Sequence, residues 1–538
     1  MYQRRKVLLA SSGDLRIKAN QIGWEFQLEM ESRLESALKK FGYAIVRAHY
    51  FDPSKGHGFI DSQKMGMEVF ETVDPDLPII IAESVWQYTH HVLPGLYSHQ
   101  GPILTLANWN GKSSGLVGLL NLNGSLTKAG ISYSTLWSET FEDEFFLTHL
   151  ESWLKDGHII HDTSHCIPFS EVKSKDDVRN RAKVFAETFK KKKAIMGVFD
   201  EGCMGMFNAI VPDHLLHPLG IFKERLSQSA LYAEMQLVSD RDAEEVLSWL
   251  VKKGMKFSWG TLPETELTKD QTFEQCKMYV AALRIADQFG CDTIGIQYQQ
   301  GLKDLVAASD LVEGLLNNVD RPPVKGKNGK ELYSGKSLPH FNEVDECAGI
   351  DALLTTRIWE EMGMSPENTL HDIRWGEAYS FGDIEKYIWV FLISGAAPPA
   401  HFVNGYQGAS SERQPAMYFG KGGGSLKGVS KPGSIVWSRI YIENNQLYCD
   451  LGIGEVVELP ASETQRRWDE TTSEWPIMHA YLPGITRDQL MAKHKANHIQ
   501  VAYTDTEDKA FEAAQLKAEV FQALGISVHW CGDQYIKA

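Results

Sequence analysis

Two acidic residues in apolar or aromatic surroundings are the side chains of this sequence with the clearest chemical potential. Glu343 lies in the segment FNEVDE and Asp372 in the segment LHDIRW. A candidate imidazole lies far downstream, in the segment KHKANH of residues 493–498. Two carboxylates and one imidazole can bind a divalent cation and leave coordination positions open for the hydroxyl groups of a substrate. The alternative is that both acids lie in solvated turns.

Two short motifs near residue 111 suggest other chemistry but have a simpler explanation. Residues 111–114 read GKSS, yet a phosphate-binding loop needs a glycine five places before this GK pair, and Leu106 stands there. Residues 111–115 also spell the G-x-S-x-G pattern of serine hydrolases, with Ser113 as the nucleophile. Because residues 108–110 separate this pattern from the preceding strand, a plain glycine–serine loop is the better interpretation.

A group of histidines is a second candidate for metal binding. His158, His161 and His165 lie close together in the sequence, with Cys166 beside the last of them. Imidazole and thiolate ligands suit zinc. Residues 157–161 could equally form a short strand with histidines at its ends, so we interpret these histidines as structural or solvated.

Strands and helices alternate over the first two-thirds of the chain. A helix is predicted over residues 25–41, where apolar residues recur at helical spacing. Strands are predicted at residues 7–10, 43–46, 77–82 and 101–107. This order is typical of a parallel sheet covered by helices. Ligands of such sheets bind beyond the carboxyl ends of the strands, so the segments at 83–86 and 108–111 are candidate binding loops.

A second α/β unit begins near residue 190, and the character of the sequence changes near residue 385. The second unit has predicted strands at 194–199 and 293–296, a helix that ends at Gly290, and a long loop over 318–338. The final part has a predicted strand at 387–393 and a hairpin of 436–442 with 446–451. The sequence therefore predicts two Rossmann-like parallel-sheet α/β domains and a mainly β C-terminal domain, with boundaries at 1–190, 191–358 and 359–538.

Composition excludes several classes of protein. The chain has 538 residues, 43 % apolar and 23 % charged, as is ordinary for a soluble globular protein. Its net charge of −16 disfavours binding to nucleic acid or to an anionic membrane surface. The seven cysteines form no C-x-x-C pair, which favours a reducing cytoplasm over a disulfide framework. The apolar run after the basic N-terminus is too short for a signal peptide, and no membrane span is expected.

The order and spacing of several segments resemble the L-fucose isomerase family, which also acts on D-arabinose. The segments that carry the resemblance are AESVW (82–86), GCMG (202–205), GIQYQ (295–299), NEVD (342–345), HDIR (371–374), LISG (392–395), YF (418–419), SEWP (473–476), MA (491–492) and ANH (496–498). They extend over most of the chain, and together they imply a fucose isomerase-like fold.

The resemblance also implies roles for particular residues. One divalent cation, usually Mn²⁺ with Mg²⁺ as another candidate, would be bound by Glu343, Asp372 and His498, and the two acids would be catalytic. Sugar contacts are implied at Gln297, Ser394, Tyr418, Trp475 and Asn497.

Contacts between subunits are implied as well. Trp86 and Met204 match residues that the family lends to a neighbouring subunit's site, which implies a homo-oligomer, hexamer or trimer, with sites between subunits. Arg16 is the candidate for a family arginine near the N-terminus. Ile499 replaces the glycine expected after the last histidine.

The expected reaction is metal-dependent aldose–ketose isomerisation of a small sugar like L-fucose or D-arabinose. A cation would stabilise the enediolate, and carboxylates would act as general base and acid. Three alternatives stay open at this point: an isomerase of another pentose, deoxy sugar or branched sugar, a non-catalytic sugar-binding protein, and a hydrolase that uses a metal or Ser113.

Overall fold

The structure is a computed structural model that describes residues 5–533. Its strands are β1 Arg5–Ala10, β2 Tyr43–Arg47, β3 Ile79–Glu83, β4 Ile103–Asn108, β5 Ser134–Ser138, β6 Cys166–Pro168, β7 Ala194–Phe199, β8 Ile221–Leu226, β9 Lys256–Phe257, β10 Thr293–Ile296, β11 Asn368–Phe381, β12 Ile384–Leu392, β13 Ser410–Ser411, β14 Gly433–Glu443, β15 Gln446–Val456, β16 Ile477–Tyr481, β17 His498–Tyr503 and β18 Ser527–Cys531.

Helices lie between most of these strands. They are α1 Ile17–Lys40, α2 Gln63–Thr72, α3 Leu93–Ser98, α4 Gly115–Ala129, α5 Glu144–Asp156, α6 Asp176–Lys192, α7 Asp213–Leu216, α8 Gln228–Leu237, α9 Asp240–Lys252, α10 Lys269–Phe289, α11 Asp310–Leu316, α12 Glu346–Met362, α13 Ala461–Asp469, α14 Arg487–Lys493 and α15 Glu507–Leu524.

Two parallel sheets form the N-terminal and middle parts of the fold. The first has the order β2-β1-β3-β4-β5, and the second has the order β10-β7-β8, with every neighbouring pair parallel. Strands β3 and β4 are almost entirely buried, as expected for strands that helices cover on both faces. The predicted α/β class with parallel sheets is confirmed.

The C-terminal part is mainly β, as predicted. Six antiparallel strands follow the order β14-β17-β11-β12-β16-β15, and β14 also pairs with β15, so these strands close into a barrel. Strands β18 and β6 extend the sheet outward from β15. Strand β6 therefore joins this sheet although residues 1–190 were predicted to form a separate domain.

Local sequence signals located several elements well. The predicted strands at 194–199 and 293–296 coincide with β7 and β10. Asn444 and Asn445 have φ of +48° and +58° in the β14–β15 hairpin, the backbone conformation that a tight two-residue turn needs. The first helix begins at Ile17 rather than at residue 25 as predicted, and a turn in which the Asp14 carboxylate accepts the backbone N–H of Arg16 precedes it.

The N-terminal sheet is docked on the barrel by helix α4, which packs against β11 and β14. A side chain at Gly124 of this helix would put its Cβ 2.2 Å from the carbonyl oxygen of Lys495, so only glycine permits the close approach. The indole N–H of Trp109, after β4, donates to the carbonyl of Gly376 in β11. These contacts hold the loops of the first sheet next to the barrel within one chain.

Within residues 5–533, no helix combines the length and apolar character that crossing a lipid bilayer requires.

Candidate active site

Asp372 and His498 face each other across two neighbouring barrel strands. Strands β11 and β17 are antiparallel, and their register pairs Asp372 directly with His498. Directly opposite residues have Cβ atoms only about 5 Å apart. Asp372 Oδ1 consequently lies 3.5 Å from His498 Nε2. Strand pairing thus brings together two residues that are distant in the sequence.

Glu343 reaches the same place from the second parallel sheet. His340 bridges to Ile294 of β10, so the chain leaves the carboxyl edge of that sheet just before Glu343. Glu343 and Val344 have φ of +58° and +56°, a left-handed conformation that is unfavourable for a β-branched residue and often marks a functional site. The thiol of Cys203 donates to the carbonyl of Val344. The turn directs Glu343 Oε2 to 3.6 Å from His498 Nε2.

The structure therefore brings the three predicted metal ligands together. Glu343 and Asp372 are only 6 % and 7 % exposed, and His498 is fully buried. His498 Nε2 has no hydrogen-bond partner among residues 5–533, although it faces both carboxylates. Two carboxylate oxygens and an unpartnered imidazole nitrogen are a suitable donor set for a divalent cation such as Mn²⁺ or Mg²⁺.

A third carboxylate, that of Asp345, hydrogen-bonds the other ring nitrogen of His498. Asp345 was not assigned a role from the sequence. Asp345 Oδ2 lies 2.8 Å from His498 Nδ1 and 2.5 Å from Arg439 Nη1, while Asp345 Oδ1 caps α12 by accepting the backbone N–H of Ala348. A carboxylate at Nδ1 keeps the proton on that nitrogen and leaves the lone pair on Nε2, the usual arrangement of a metal-binding histidine.

Burial and charge act on these groups together. Burial raises the pKa of Glu343 to about 7, against the opposing effect of His498, and the charge of Asp372 adds to the rise. Burial also raises the pKa of Asp372. Although burial disfavours the ionised form of Asp345, the charge of Arg439 and the bond to His498 hold its pKa well below the usual range. Glu343 and Asp372 are therefore harder to ionise than exposed carboxyl groups, and a cation bound between them would favour their ionised forms.

A cavity of about 310 Å³ opens directly above Glu343 and Asp372. Three of the five residues predicted to contact the sugar line it, Ser394, Tyr418 and Trp475, together with Trp86 and Met204. The other two lie outside its wall. Asn497 donates to Asp372 Oδ1 at 3.2 Å, and Gln297 is fully buried with neither side-chain polar atom hydrogen-bonded within the described part of the chain.

The N-terminal sheet contributes to the cavity of its own chain. The guanidinium group of Arg16 donates two hydrogen bonds to Asp14 and lies 4.6 Å above the centre of the Tyr418 ring. Trp86 and Met204 line the same wall as Glu343. The docking of α4 on the barrel holds the loop after β3 at this cavity. The expectation that Trp86 and Met204 contribute to a neighbouring subunit's site stays a prediction.

A buried hydrogen bond holds one residue of the aromatic wall. The indole N–H of Trp475 donates to Gln414 Oε1 at 2.7 Å, while Gln414 Nε2 has no hydrogen-bond partner among residues 5–533. Tyr418 lies beside Trp475 with a ring separation of 6.3 Å.

Some residues of the site were not assigned a role from the sequence. Asp345 and Arg374 each lie two residues after a predicted ligand, in NEVDE and HDIRW, and an extra charged residue so near a ligand was a usable signal. Arg374 lines the cavity with its Nε unpartnered among residues 5–533. Gln414 could not be found from the sequence, because its role arises only from a contact with the distant Trp475.

The alternative motifs do not form catalytic arrangements in the described residues. Ser113 Oγ donates to Asn110 Oδ1 at 3.2 Å, so this hydroxyl group bonds to an amide and not to a histidine. The region 157–161 is not a strand. His161 stacks on Trp137 and hydrogen-bonds the carbonyl of Thr135, which agrees with a structural role.

Comparison with known proteins identifies the C-terminal region. Residues 403–523 match the family model described as L-fucose isomerase, C-terminal domain. No curated protein matches the chain. The matched stretch includes Tyr418, Trp475 and His498, whereas Glu343 and Asp372 precede it. The match to this domain supports membership of the chain in the L-fucose isomerase family.

Proposed function

We propose that the protein is a metal-dependent aldose–ketose isomerase that acts on L-fucose, D-arabinose or a closely similar sugar. The observation that carries this proposal is the convergence of Glu343, Asp372 and His498 below a cavity of sugar size. The match of residues 403–523 to the L-fucose isomerase C-terminal domain independently suggests a sugar isomerase.

Glu343, Asp372 and His498 would hold the cation, Mn²⁺ or another divalent ion such as Mg²⁺. When bound, such a cation supplies Lewis-acid stabilisation of the negative charge that develops on the sugar oxygens during isomerisation. Asp345 holds His498 in the tautomer that this role needs, because its carboxylate accepts the Nδ1 proton.

The two carboxylates at the floor of the cavity would transfer the protons. Aldose–ketose isomerisation moves one proton between C1 and C2 and another between the two oxygens. One of Glu343 and Asp372 removes the carbon proton as a general base, and the other transfers the proton that moves between the two sugar oxygens. Both side chains are nearly inaccessible to bulk water, which favours return of the proton to the substrate.

The upper cavity would orient the sugar. Trp86, Tyr418 and Trp475 offer flat apolar surfaces against which a sugar ring or chain packs. The indole N–H of Trp86 and the Nε of Arg374 have no partner within the described chain, so both can donate to hydroxyl groups. The homo-oligomer and the cytoplasmic location rest on the sequence analysis and stay predictions.

A screen of aldoses tests the proposed reaction. The purified protein with Mn²⁺ is incubated with L-fucose, D-arabinose, other pentoses and branched sugars, and ketose formation is followed. We expect L-fucose or D-arabinose to give the highest kcat/KM. Tight sugar binding without any ketose would instead indicate a sugar-binding protein. A hydrolase that uses Ser113 would lose its activity in the variant Ser113→Ala, whereas isomerisation should survive that change.

The Asp345→Asn variant should bind manganese about 10- to 100-fold more weakly, because the hydrogen bond that orients His498 loses its charge. Isothermal titration with Mn²⁺ measures the loss. Asp351→Asn is the matched control, since Asp351 is another fully buried carboxylate but pairs with Lys517. It should lower the melting temperature without weakening manganese binding. Equal manganese affinity in Asp345→Asn and the wild type would contradict the orienting role.

The Gln414→Leu variant should raise KM about fivefold with a smaller change in kcat. The indole of Trp475 loses its acceptor, and one such hydrogen bond contributes about 1 kcal/mol. Steady-state kinetics over a range of sugar concentrations separate the two constants. Gln515→Leu is the control, because it removes a buried glutamine bond to the carbonyl of Lys173, a residue outside the cavity wall. An unchanged KM in Gln414→Leu would show that this bond does not position the aromatic wall.

A further inference from the structure

Two cysteines and an aspartate meet where β6 and β18 extend the barrel sheet. Cys166 and Cys531 are directly opposite in the antiparallel register, and their Sγ atoms are 3.4 Å apart. Asp450, on β15, places Oδ1 4.0 Å from Cys166 Sγ. One ligand atom from each of the three residues lies within 4.8 Å of the other two. None of the three lines the cavity above Glu343.

The spacing of these atoms suits a tetrahedral thiolate site. Zinc binds sulfur at about 2.3 Å, so two sulfurs on one tetrahedral ion lie about 3.8 Å apart. The two sulfurs of the protein need to separate by only a few tenths of an ångström to accept the ion. Asp450 and Cys531 are buried, and Cys166 is partly exposed, which gives an ion access from solvent.

The surroundings contain a buried imidazole without a hydrogen-bond partner and a positive charge. His165, directly before Cys166, is 6 % exposed, and neither ring nitrogen has a hydrogen-bond partner among residues 5–533. Its carbonyl accepts the backbone N–H of Gly532, which keeps it close to Cys531. Lys493 Nζ lies 3.6 Å from Asp450 Oδ1.

We propose that Cys166, Cys531 and Asp450 form a binding site for Zn²⁺ or a similar thiolate-preferring divalent cation, with His165 as the candidate fourth ligand. Binding replaces the two thiol protons by one divalent cation and releases both protons to solvent, so the net charge of the site is unchanged. The site differs in chemistry from the carboxylate and imidazole group at Glu343, and it does not depend on the proposed isomerase activity.

Such an ion would fasten two parts of the chain that are far apart in sequence. Strand β6 belongs to the segment that links the first parallel sheet to the rest of the fold, and β18 is the last strand of the described chain. A cation shared by both would anchor this linker to the barrel sheet. We therefore expect a structural role for the ion and no direct role in sugar chemistry.

Cobalt titration of the full-length, metal-stripped and reduced protein tests the site. Co²⁺ should produce a thiolate-to-cobalt charge-transfer band, which the sulfur-free ligands of the other site cannot give. Cys166→Ser should lose the band, whereas Cys291→Ser, which changes a buried cysteine elsewhere, should keep it. Zn²⁺ should abolish the band by displacement. Absence of the band in the wild type, or its persistence in Cys166→Ser, overturns the proposal.

A second measurement needs no variant. Zn²⁺ should protect Cys166 and Cys531 of the wild-type protein from alkylation, as read by mass spectrometry of peptides. Equal alkylation with and without Zn²⁺ overturns the proposal. A Cys166–Cys531 disulfide that forms in air and persists in the presence of Zn²⁺ also overturns it. Isomerase activity restored by Mn²⁺ should be the same in Cys166→Ser and the wild type. The cobalt band and the alkylation pattern therefore test the thiolate site alone, whereas ketose formation tests the isomerase proposal alone.

Discussion

The Asp372→Asn variant should lose at least about 10³-fold in kcat/KM while the protein keeps its fold. The change preserves the shape of the side chain but removes its charge, and with it the charge of a proposed cation ligand and of one of the two carboxylates proposed to transfer protons. Glu343→Gln should cause a loss of the same order for the same reason. Ketose formation at saturating Mn²⁺ measures the effect, and thermal unfolding confirms that each variant is folded.

The matched control for this prediction is Asp469→Asn. Asp469 also lines the cavity, but it accepts a hydrogen bond from Gln465 and lies in α13, away from the barrel strands that carry Asp372 and His498. Its kcat/KM should stay within about threefold of the wild type, as is usual for exposed polar changes. Turnover at the wild-type level in Asp372→Asn or Glu343→Gln would refute the role given to that carboxylate.

Removal of divalent cations should abolish isomerisation completely, and Mn²⁺ should restore it. Without a cation, the charge that develops on the sugar oxygens would face the carboxylates of Glu343 and Asp372 with no compensation. The protein is treated with EDTA, dialysed and assayed before and after addition of Mn²⁺ or Mg²⁺. His498→Gln should be inactive under every condition, because its ring nitrogen is the remaining ligand.

Manganese titration provides an independent readout for the same prediction. The wild type should bind Mn²⁺ at the Glu343 site, and His498→Gln should lose this binding. Cys166→Ser serves as the control, since its thiol lies outside the cavity and should leave manganese binding unchanged. Full isomerase activity in exhaustively metal-free protein would refute the requirement for a cation.

Local sequence patterns were sufficient for the α/β part of the fold but not for the barrel. Alternating strands and helices identified the parallel sheets, because each βα unit pairs with its neighbours along the chain. Closure of the barrel depends on β14 pairing with both β15 and β17. The hairpin could be predicted from its turn, whereas the pairing with β17 joins segments that no short-range pattern connects.

The candidate site, like the fold, could be predicted from the sequence only in part. Glu343, Asp372 and His498 were found through residue type and family resemblance, and the register of β11 with β17 explains why two of them meet. Asp345 and Gln414 were given no role, since a supporting hydrogen bond depends on the final packing. The placement of Trp86 in the cavity of its own chain follows from helix docking, which also lies beyond local sequence patterns.

The three candidate ligands come from three separate parts of the fold: a left-handed turn beside the second sheet, and two barrel strands that are distant in sequence. No fragment that lacks one of these parts can assemble the full set. Under the proposed function, manganese affinity would therefore report complete folding, and a nascent chain would acquire it only after β17 has been synthesised and inserted. During refolding, the appearance of this affinity should coincide with formation of the last barrel pairing and not with collapse of either α/β unit.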